Sequence, residues 1–270
     1  MERKDYKKLC ELSIPIVRAV GSFISQELGK VSNEQIEIKE RNSLVSYVDK
    51  EAEKQLVVGL KTVLPEAGFI TEEGTVEQGG ASALWIIDPL DGTSNFLHNI
   101  PHFAVSVGLQ IDGILRVGVV LDVMREECFY AWEGGGAFLN NAPISISSTF
   151  GVDKSIIGTG FPYDPVHVRP LMDTLEYFVT HGRGIRRMGA AALDLAYVAC
   201  GRLDAYYEST LHSWDIAGGA LIVKEAGGVV SDFDGGETYL DSGRIIVANA
   251  ALHKEVQSIL SDNFDLLGTN

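Results

Sequence analysis

The sequence predicts a mixed α/β protein of layered sheets and helices. Three observations carry this. Two helical patterns open the chain. Residues 103–147 then hold consecutive strand-like segments separated by short turn sequences, the signature of a β-meander. From residue 148 onward, short apolar strands alternate with amphipathic helices. A soft boundary near residue 147 separates an N-terminal α+β half, 1–147, from a C-terminal αβ half, 148–270, and the two are expected to form one compact unit.

The first helix is expected over about residues 4–28, where Leu9, Leu12, Ile16, Val20 and Phe23 recur near helical spacing. Pro15 predicts a kink or a late start, and Gly29 a stop. A second helix is expected from Asp49, read as its N-cap, to Leu64, with Leu56, Leu60 and Val63 as its apolar stripe and Pro65 ending it. FITEEG (69–74) reads as a short strand entering a turn, and WIID (85–88) as a strand of buried type. AVSVGLQI, ILRVGVVLDV, ECFYAWE and PISIS form the meander, broken at DG, MRE and GGGAFLNNA. In the second half, SIIGTGF, LDAYYES and GRIIVAN read as strands. PVHVRPLMDTLEYFVTH, GAAALDLAYVACG, WDIAGGALIVKEAGG and ALHKEVQSILSD read as helices, with Gly201 capping the second and Gly227 and Gly228 closing the third.

Composition narrows the function. Lys and Arg total 22 against 37 Asp and Glu, a formal charge of −15, which argues against a general nucleic-acid binder. A small anionic substrate would need local positive charge from basic residues or a bound metal. No run of apolar residues is long enough to span a bilayer, so no membrane partner is expected. MERKDYKKLCELS lacks the pattern of a signal peptide, and Cys10, Cys128 and Cys200 are few and widely spaced. A cytoplasmic location is therefore expected.

The stretch WIIDPLDGTSNF (85–96) concentrates the chemistry. Pro89 biases Asp88 to an extended backbone, so the strand should carry Asp88 to its end. Gly92 permits a conformation or a close approach that a side chain would block. Thr93 and Ser94 suit the cap of a short following helix, whose free N–H groups could meet an anion. Taken alone, the loop reads as readily as a capped turn with two solvated acids. Glu72 and Glu73 in TEEGT and Asp215 in SWDIAGG add carboxylates at a strand end and a helix start. Each of these also has an ordinary reading, as a solvated turn or an N-cap. An all-oxygen donor set without clustered His or Cys favours Mg²⁺ over Zn²⁺. His98 and His102 flank Pro101 nearby and read more readily as packing residues than as ligands. HGRGIRR (181–187) is the one compact basic cluster, suited to an anionic substrate or to pairing with surface acids.

These residues together resemble the inositol monophosphatase family, and the resemblance runs over nearly the whole chain. It rests on TEEG, WIIDPLDGTSNF with LHNIPHFAVSVGL, and WDIAGGALIVKEAGG in that order. KERNSLVSYVDKEAEK (39–54), GTGFPY (158–163) and GAAALDLAYVACGRLDAYYE (189–208) extend it. The resemblance implies an αβαβα sandwich of the sugar-phosphatase type and a homodimer. It also implies Mg²⁺-dependent, commonly Li⁺-sensitive hydrolysis of a phosphate monoester, with two to three ions. By the same resemblance, Glu72, Asp88, the Leu90 carbonyl, Asp91 and Asp215 would hold metal. Glu72, Thr93 and Asp49 would serve water activation, and Lys39 would be the basic residue near the site. Gly92, Thr93 and Ser94 would contact phosphate. Gly189, Ala190, Ala191, Glu208 and Asp215 would contact the rest of the substrate. Ala190 departs from the Ser or Thr that family members often carry and removes one substrate hydrogen bond. Ser43 replaces a common Asp. Inositol monophosphate or a similar sugar or polyol phosphate is the expected substrate. TSNF after the DG, rather than TKEF, favours the inositol branch over the sister family that cleaves 3′-phosphoadenosine nucleotides, which stays an alternative. Sugar bisphosphates, nicotinamide dinucleotide phosphate and histidinol phosphate remain alternatives, as does a non-catalytic regulatory or interaction role on the same fold.

Overall fold

Seven strands between Gly68 and Ile144 form one sheet in simple sequential order. They are β3 (Gly68–Thr71), β4 (Ala83–Asp91), β5 (Ala104–Ile111), β6 (Ile114–Asp122), β7 (Glu127–Trp132), β8 (Gly136–Leu139) and β9 (Ala142–Ile144). The computed structural model describes residues 3–40, 43–161 and 168–264. β3 runs parallel to β4, and every later neighbour is antiparallel, so the meander is present. It holds one strand more than expected: β8 lies inside GGGAFLNNA, where the glycine cluster suggested only a break. A four-residue strand is too short to show alternation beside three glycines.

The apolar run of β4 has a direct cause. Trp85 and Ile87 pack into a core shared with α1 (Arg3–Glu27) and α2 (Tyr47–Val63). Ile86 faces the opposite side, toward α5 (Ala191–Ala199) and α6 (Ser213–Glu225). A sheet covered on both faces needs apolar residues at both parities. α5 and α6 also cover one face of a second sheet, through Tyr206, Ile245 and Val247. That sheet has the order β11-β10-β12-β14-β13. Its strands are β10 (Ile156–Thr159), β11 (Gly184–Arg186), β12 (Ala205–Glu208), β13 (Val229–Ser231) and β14 (Ile245–Ala248). Its other face packs through Ala205, Tyr207, Ile246 and Ala248 against α4 (Val168–His181) and α8 (Ala250–Phe264). The layers therefore run helix, sheet, helix, sheet, helix: the αβαβα sandwich.

Several local expectations are corrected. α1 begins at Arg3 and runs through Pro15 to Glu27, so the proline does not delay its start. Tertiary packing of Leu9, Val17, Val20 and Ile24 outweighs the missing N–H. α2 is capped by Ser46, not Asp49. Asp49 is the third helical residue of a capping box: its Oδ2 accepts from the Ser46 N–H at 2.8 Å and the Ser46 hydroxyl at 2.7 Å. β4 does not end at Asp88 but continues to Asp91 across an irregularity in its register with β5. β1 (Glu37–Glu40) pairs with β2 (Ser43–Val45) in a hairpin that the sequence pattern did not disclose, and β11 lies within the basic cluster. The helix expected from residue 165 begins at Val168 in the described residues; residues 162–167, including the end of GTGFPY, lie outside them. Two short helices, α3 (Thr93–Leu97) and α7 (Tyr239–Ser242), complete the α-helices among the described residues. Among the described residues, no helix is long and apolar enough to cross a membrane.

α6 seats unusually close to the first sheet. A Cβ placed on Gly118 of β6 would stand 2.3 Å from the Gly218 carbonyl oxygen of α6, and one on Gly108 of β5 2.8 Å from the Ala217 Cβ. Because backbone cannot swing aside as a side chain does, Gly118→Ala should destabilise the protein by about 1–3 kcal/mol through overpacking. Chemical denaturation checks this, and an unchanged midpoint would contradict the seam.

Candidate active site

The edge of the first sheet, the start of α5 and the start of α6 meet around one cavity of about 390 Å³. Glu72 follows β3, and its N–H donates to the Ile87 carbonyl at 3.3 Å, which keeps it beside β4. Asp88 is 2% exposed; its Oδ1 accepts from the Leu90 N–H at 2.9 Å. Asp91 is 8% exposed; its Oδ2 accepts from the Ala192 N–H, in the first turn of α5, at 2.7 Å. Asp215 is the third residue of α6, not its cap, and its Oδ2 accepts from the N–H of the capping residue His212 at 2.6 Å. All four carboxylates line the cavity.

The phosphate-side residues are there too. Leu90, Gly92, Thr93 and Ser94 line the same wall. Gly92, not Thr93 or Ser94, caps the short α3 (Thr93–Leu97). Its φ of +90° requires glycine, and a Cβ there would press on the carbonyls of His102 and Gly189 at 3.1 and 3.2 Å. Thr93 is thereby released from capping. Its hydroxyl lies 2.9 Å from Asp49 Oδ1 and 3.0 Å from the Leu90 carbonyl oxygen, able to donate to either. Asp49 stands behind Thr93 without lining the cavity, one oxygen spent on its capping box and the other on Thr93.

Gly189, Ala190, Ala191 and Glu208 line the same cavity, with Gly189 and Ala190 packed against Gly92. Glu208 accepts a short hydrogen bond from the Tyr206 hydroxyl. Its carboxyl occupies the space a side chain at Gly160 would fill. Lys39 lies in β1 by its backbone, and its side chain falls outside the described residues, as does that of Ser43. His98 and His102 do not line the cavity; the buried His102 ring packs edge-on against Tyr197, with centroids 5.9 Å apart. Of HGRGIRR, Arg187 alone reaches it, its guanidinium 5.2 Å over the Phe161 ring. Asp194 and Trp214 also line it and were not anticipated. Asp194 carried a signal, as the lone acid in the apolar helix α5, where it is 1% exposed.

Burial dominates the electrostatics. It pushes Asp88 well above the usual carboxylate range, aided by the charges of Glu72, Asp91 and Asp215. Burial raises Asp91 to about 7 against the opposing Ala192 N–H, with Glu72 and Glu208 adding to the rise. Asp215 is driven well up by burial and then by Asp91. Glu208 reaches about 7, chiefly by burial. Asp194 rises well above the usual range by burial and then by Glu208. Asp215 and Glu208 keep some surface toward the cavity, yet protein surrounds them on the other sides.

Among the described residues, no three acidic, His or Cys side chains stand close enough together to hold an ion as they are. The three aspartates instead turn to their own backbone donors. The donor set nevertheless fits a hard divalent cation: it is oxygen only, and its acids repel one another in a poorly solvated cavity that calls for counter-charge.

Comparison with known proteins agrees with the geometry. The sequence profile of the inositol monophosphatase family matches residues 5–263. The chain is 40% identical to the Nus factor SuhB of Pseudomonas aeruginosa, over 91% of this chain and 93% of that one. It is 41% identical to the inositol-1-monophosphatase of Synechocystis, over 95% and 90%. The crystal structure of the extragenic suppressor protein suhB from Bartonella henselae superposes with a TM-score of 0.90 at 36% identity, covering 94% of this chain and 98% of that one.

The raised acids give a signed pH dependence. A carboxyl whose folded pKa lies above its ordinary value contributes stability at low pH that is lost as pH rises through the folded value. With Asp91 moved from 3.8 to about 7 and Glu208 from 4.5 to about 7, that loss spans roughly pH 4 to 8. In chelator, Asp91→Asn should raise the melting temperature by several degrees at pH 8 and by much less at pH 5. Equal effects at both pH values would count against the strained acid cluster.

Proposed function

The chain belongs to the inositol monophosphatase family, and from that and its acid-lined cavity we propose that it hydrolyses phosphate monoesters with Mg²⁺, acting on inositol monophosphate or a similar polyol phosphate. The observation that carries the proposal is the convergence of Glu72, Asp88, Asp91 and Asp215, from three separate segments, beside the backbone of Gly92–Ser94. A phosphate dianion would be repelled by such a cavity unless cations reversed its charge. Glu72, Asp88 and the Leu90 carbonyl would hold one ion, and Asp88, Asp91 and Asp215 a second. Bound there, Mg²⁺ supplies positive charge for the phosphate and lowers the pKa of water.

The chain's own groups do the rest. The N–H groups of Gly92 and Thr93 take phosphate oxygens and Ser94 flanks them. The Thr93 hydroxyl, set by Asp49, offers a proton route away from attacking water, and burial raises the Asp49 pKa and so makes it a stronger base. Lys39 serves as the basic residue near the site. Glu208, whose pKa burial raises to about 7, accepts from substrate hydroxyls or, when protonated, donates to them. Ala190 supplies no hydroxyl, so Gly189 and Ala191 contact substrate through backbone. A cavity of about 390 Å³ has room for a six-carbon ring with one phosphate. The active form is taken to be a homodimer.

A second reading has support of its own. Relatives named as Nus factor and as inositol-1-monophosphatase match at nearly equal identity, 40% and 41%. A separate interaction role, independent of hydrolysis, is therefore compatible with this fold. Recovery from a native extract of a stoichiometric partner retained by Asp88→Asn would establish it; with no such partner, hydrolysis alone accounts for the cavity.

Phosphate release from a panel of monoesters should require Mg²⁺ and stop on chelation. The highest kcat/KM should fall on a polyol phosphate. Asp88→Asn should lower it by about a thousandfold or more, the several kcal/mol that metal charge stabilisation supplies. Full activity in that variant would overturn the metal site. An adenosine bisphosphate preferred by orders of magnitude would move the chain to the sister branch.

A further inference from the structure

The turn that carries Glu72 is tied both to the sheet and to α2. Gly74 and Thr75 are exposed, and Gly74 sits at φ +63°. On the sheet side, the Glu72 N–H makes one long bond to the Ile87 carbonyl at 3.3 Å. The neck of the loop is closed further on, where the Gln78 amide clasps the Thr71 N–H at 2.7 Å and Thr71 Oγ1 at 3.0 Å. Between these ties stands Glu53 of α2, a carboxylate with 0% exposure. Its Oε2 accepts from the Glu73 N–H at 2.7 Å. Its Oε1 accepts from the Thr75 N–H at 2.6 Å and the Thr75 hydroxyl at 2.7 Å. A buried acid with three donors drawn from one exposed turn is a clamp on that turn.

The placement on α2 gives the clamp its meaning. Asp49 and Glu53 are four residues apart and so share one face of the helix. Asp49 grips Thr93 and Glu53 grips the Glu72–Thr75 turn. One rigid face therefore sets two walls of the cavity relative to each other.

We propose that Glu53 is a positioning residue that fixes Glu72 as a cation ligand. It acts through the backbone of the turn, without touching ion or substrate. The proposal rests on the reading of Glu72 as a Mg²⁺ ligand given above. Glu53→Gln replaces one oxygen by an amide that meets N–H donors with its own, so at least one bond is lost. Supporting interactions of this kind typically change metal affinity by about 10–100-fold.

Calorimetric titration of Mg²⁺ into the substrate-free protein tests this. Half-saturation should rise about tenfold or more in Glu53→Gln. Thr75→Val, an exposed change that cannot unfold the core, should raise it by a smaller factor. In a Glu72→Gln background, Glu53→Gln should add no further loss, because the route through Glu72 is already broken. The amides of Glu73 and Thr75 should also exchange hydrogen faster in Glu53→Gln. A merely structural role would lower the melting temperature in both backgrounds and leave Mg²⁺ half-saturation unchanged in each. Wild-type heat of binding with an unmoved half-saturation in Glu53→Gln would overturn the clamp. If Glu53→Gln does not fold, an unmoved half-saturation in Thr75→Val does so. No heat in the wild type would instead overturn the Mg²⁺ reading of the site.

Discussion

The burial of crowded carboxyl groups, sharpened by their mutual repulsion, is the constraint on which the rest of the structure depends. Asp88 and Asp91 lie almost out of solvent, and Glu72, Asp215, Glu208 and Asp194 crowd the same cavity. Such groups can swing toward water or take up protons, and the raised pKa values of Asp88, Asp91 and Asp215 are the second response. Here each aspartate of the cluster is pinned by a backbone N–H: Asp88 by Leu90, Asp91 by Ala192 and Asp215 by His212. A backbone donor cannot rotate away, so the acids stay in place despite their mutual field. The cost falls on the stability of the cation-free protein, and the same strain is the driving force for taking up a divalent cation.

The layered fold exists in a form that lets distant segments share this strain. β4 is apolar at both parities because helices cover both its faces, and it delivers Asp88 and Asp91 to the sheet edge. The glycine seam at Gly108, Gly118 and Gly218 allows α6 to lie close on that sheet, which brings Asp215 within the field of Asp91. α5, sandwiched between the two sheets, offers the Ala192 N–H to Asp91 from its first turn. The residues that look purely structural, glycines facing glycines, therefore set the spacing of the charges.

The sequence disclosed what lies close along the chain and missed what only folding brings together. WIIDPLDGTSNF was legible because strand, proline, acids and glycine are consecutive and each constrains its neighbour. Asp215 and Glu72 could be proposed because each ends an element, but nothing local tied them to Asp88; the family resemblance supplied that link. Asp49 was taken for an N-cap because the helix start was read from its apolar stripe. The competing capping box at Ser46 shifts the start and frees one Asp49 oxygen for Thr93. β8 was hidden by its glycines. Arg187 was seen as part of a basic cluster, yet only its packing over Phe161 separates it from its neighbours. Nothing local marks Glu53, since its three donors, on Glu73 and Thr75, lie 20 and 22 residues away.

The lining of the cavity falls into two chemical groups, and this bears on how a substrate would lie in it. Glu72, Asp88, Asp91 and Asp215 gather beside the backbone of Gly92–Ser94, and Glu208, Asp194, Arg187 and Phe161 form a second group. On the proposed reading, cations held by the first group would draw the phosphate there. The second group would then meet the alcohol to which the phosphate is attached. Burial raises Glu208 to about 7, so its carboxyl could accept from a hydroxyl or, protonated, donate to one, and Arg187 offers a cation 5.2 Å over the Phe161 ring. Orientation would follow from charge and discrimination from hydrogen bonding. On that reading, substitutions in the second group should alter the choice of alcohol while the first keeps the chemistry, a division that one cavity can sustain because the two sets of side chains come from different stretches of the chain.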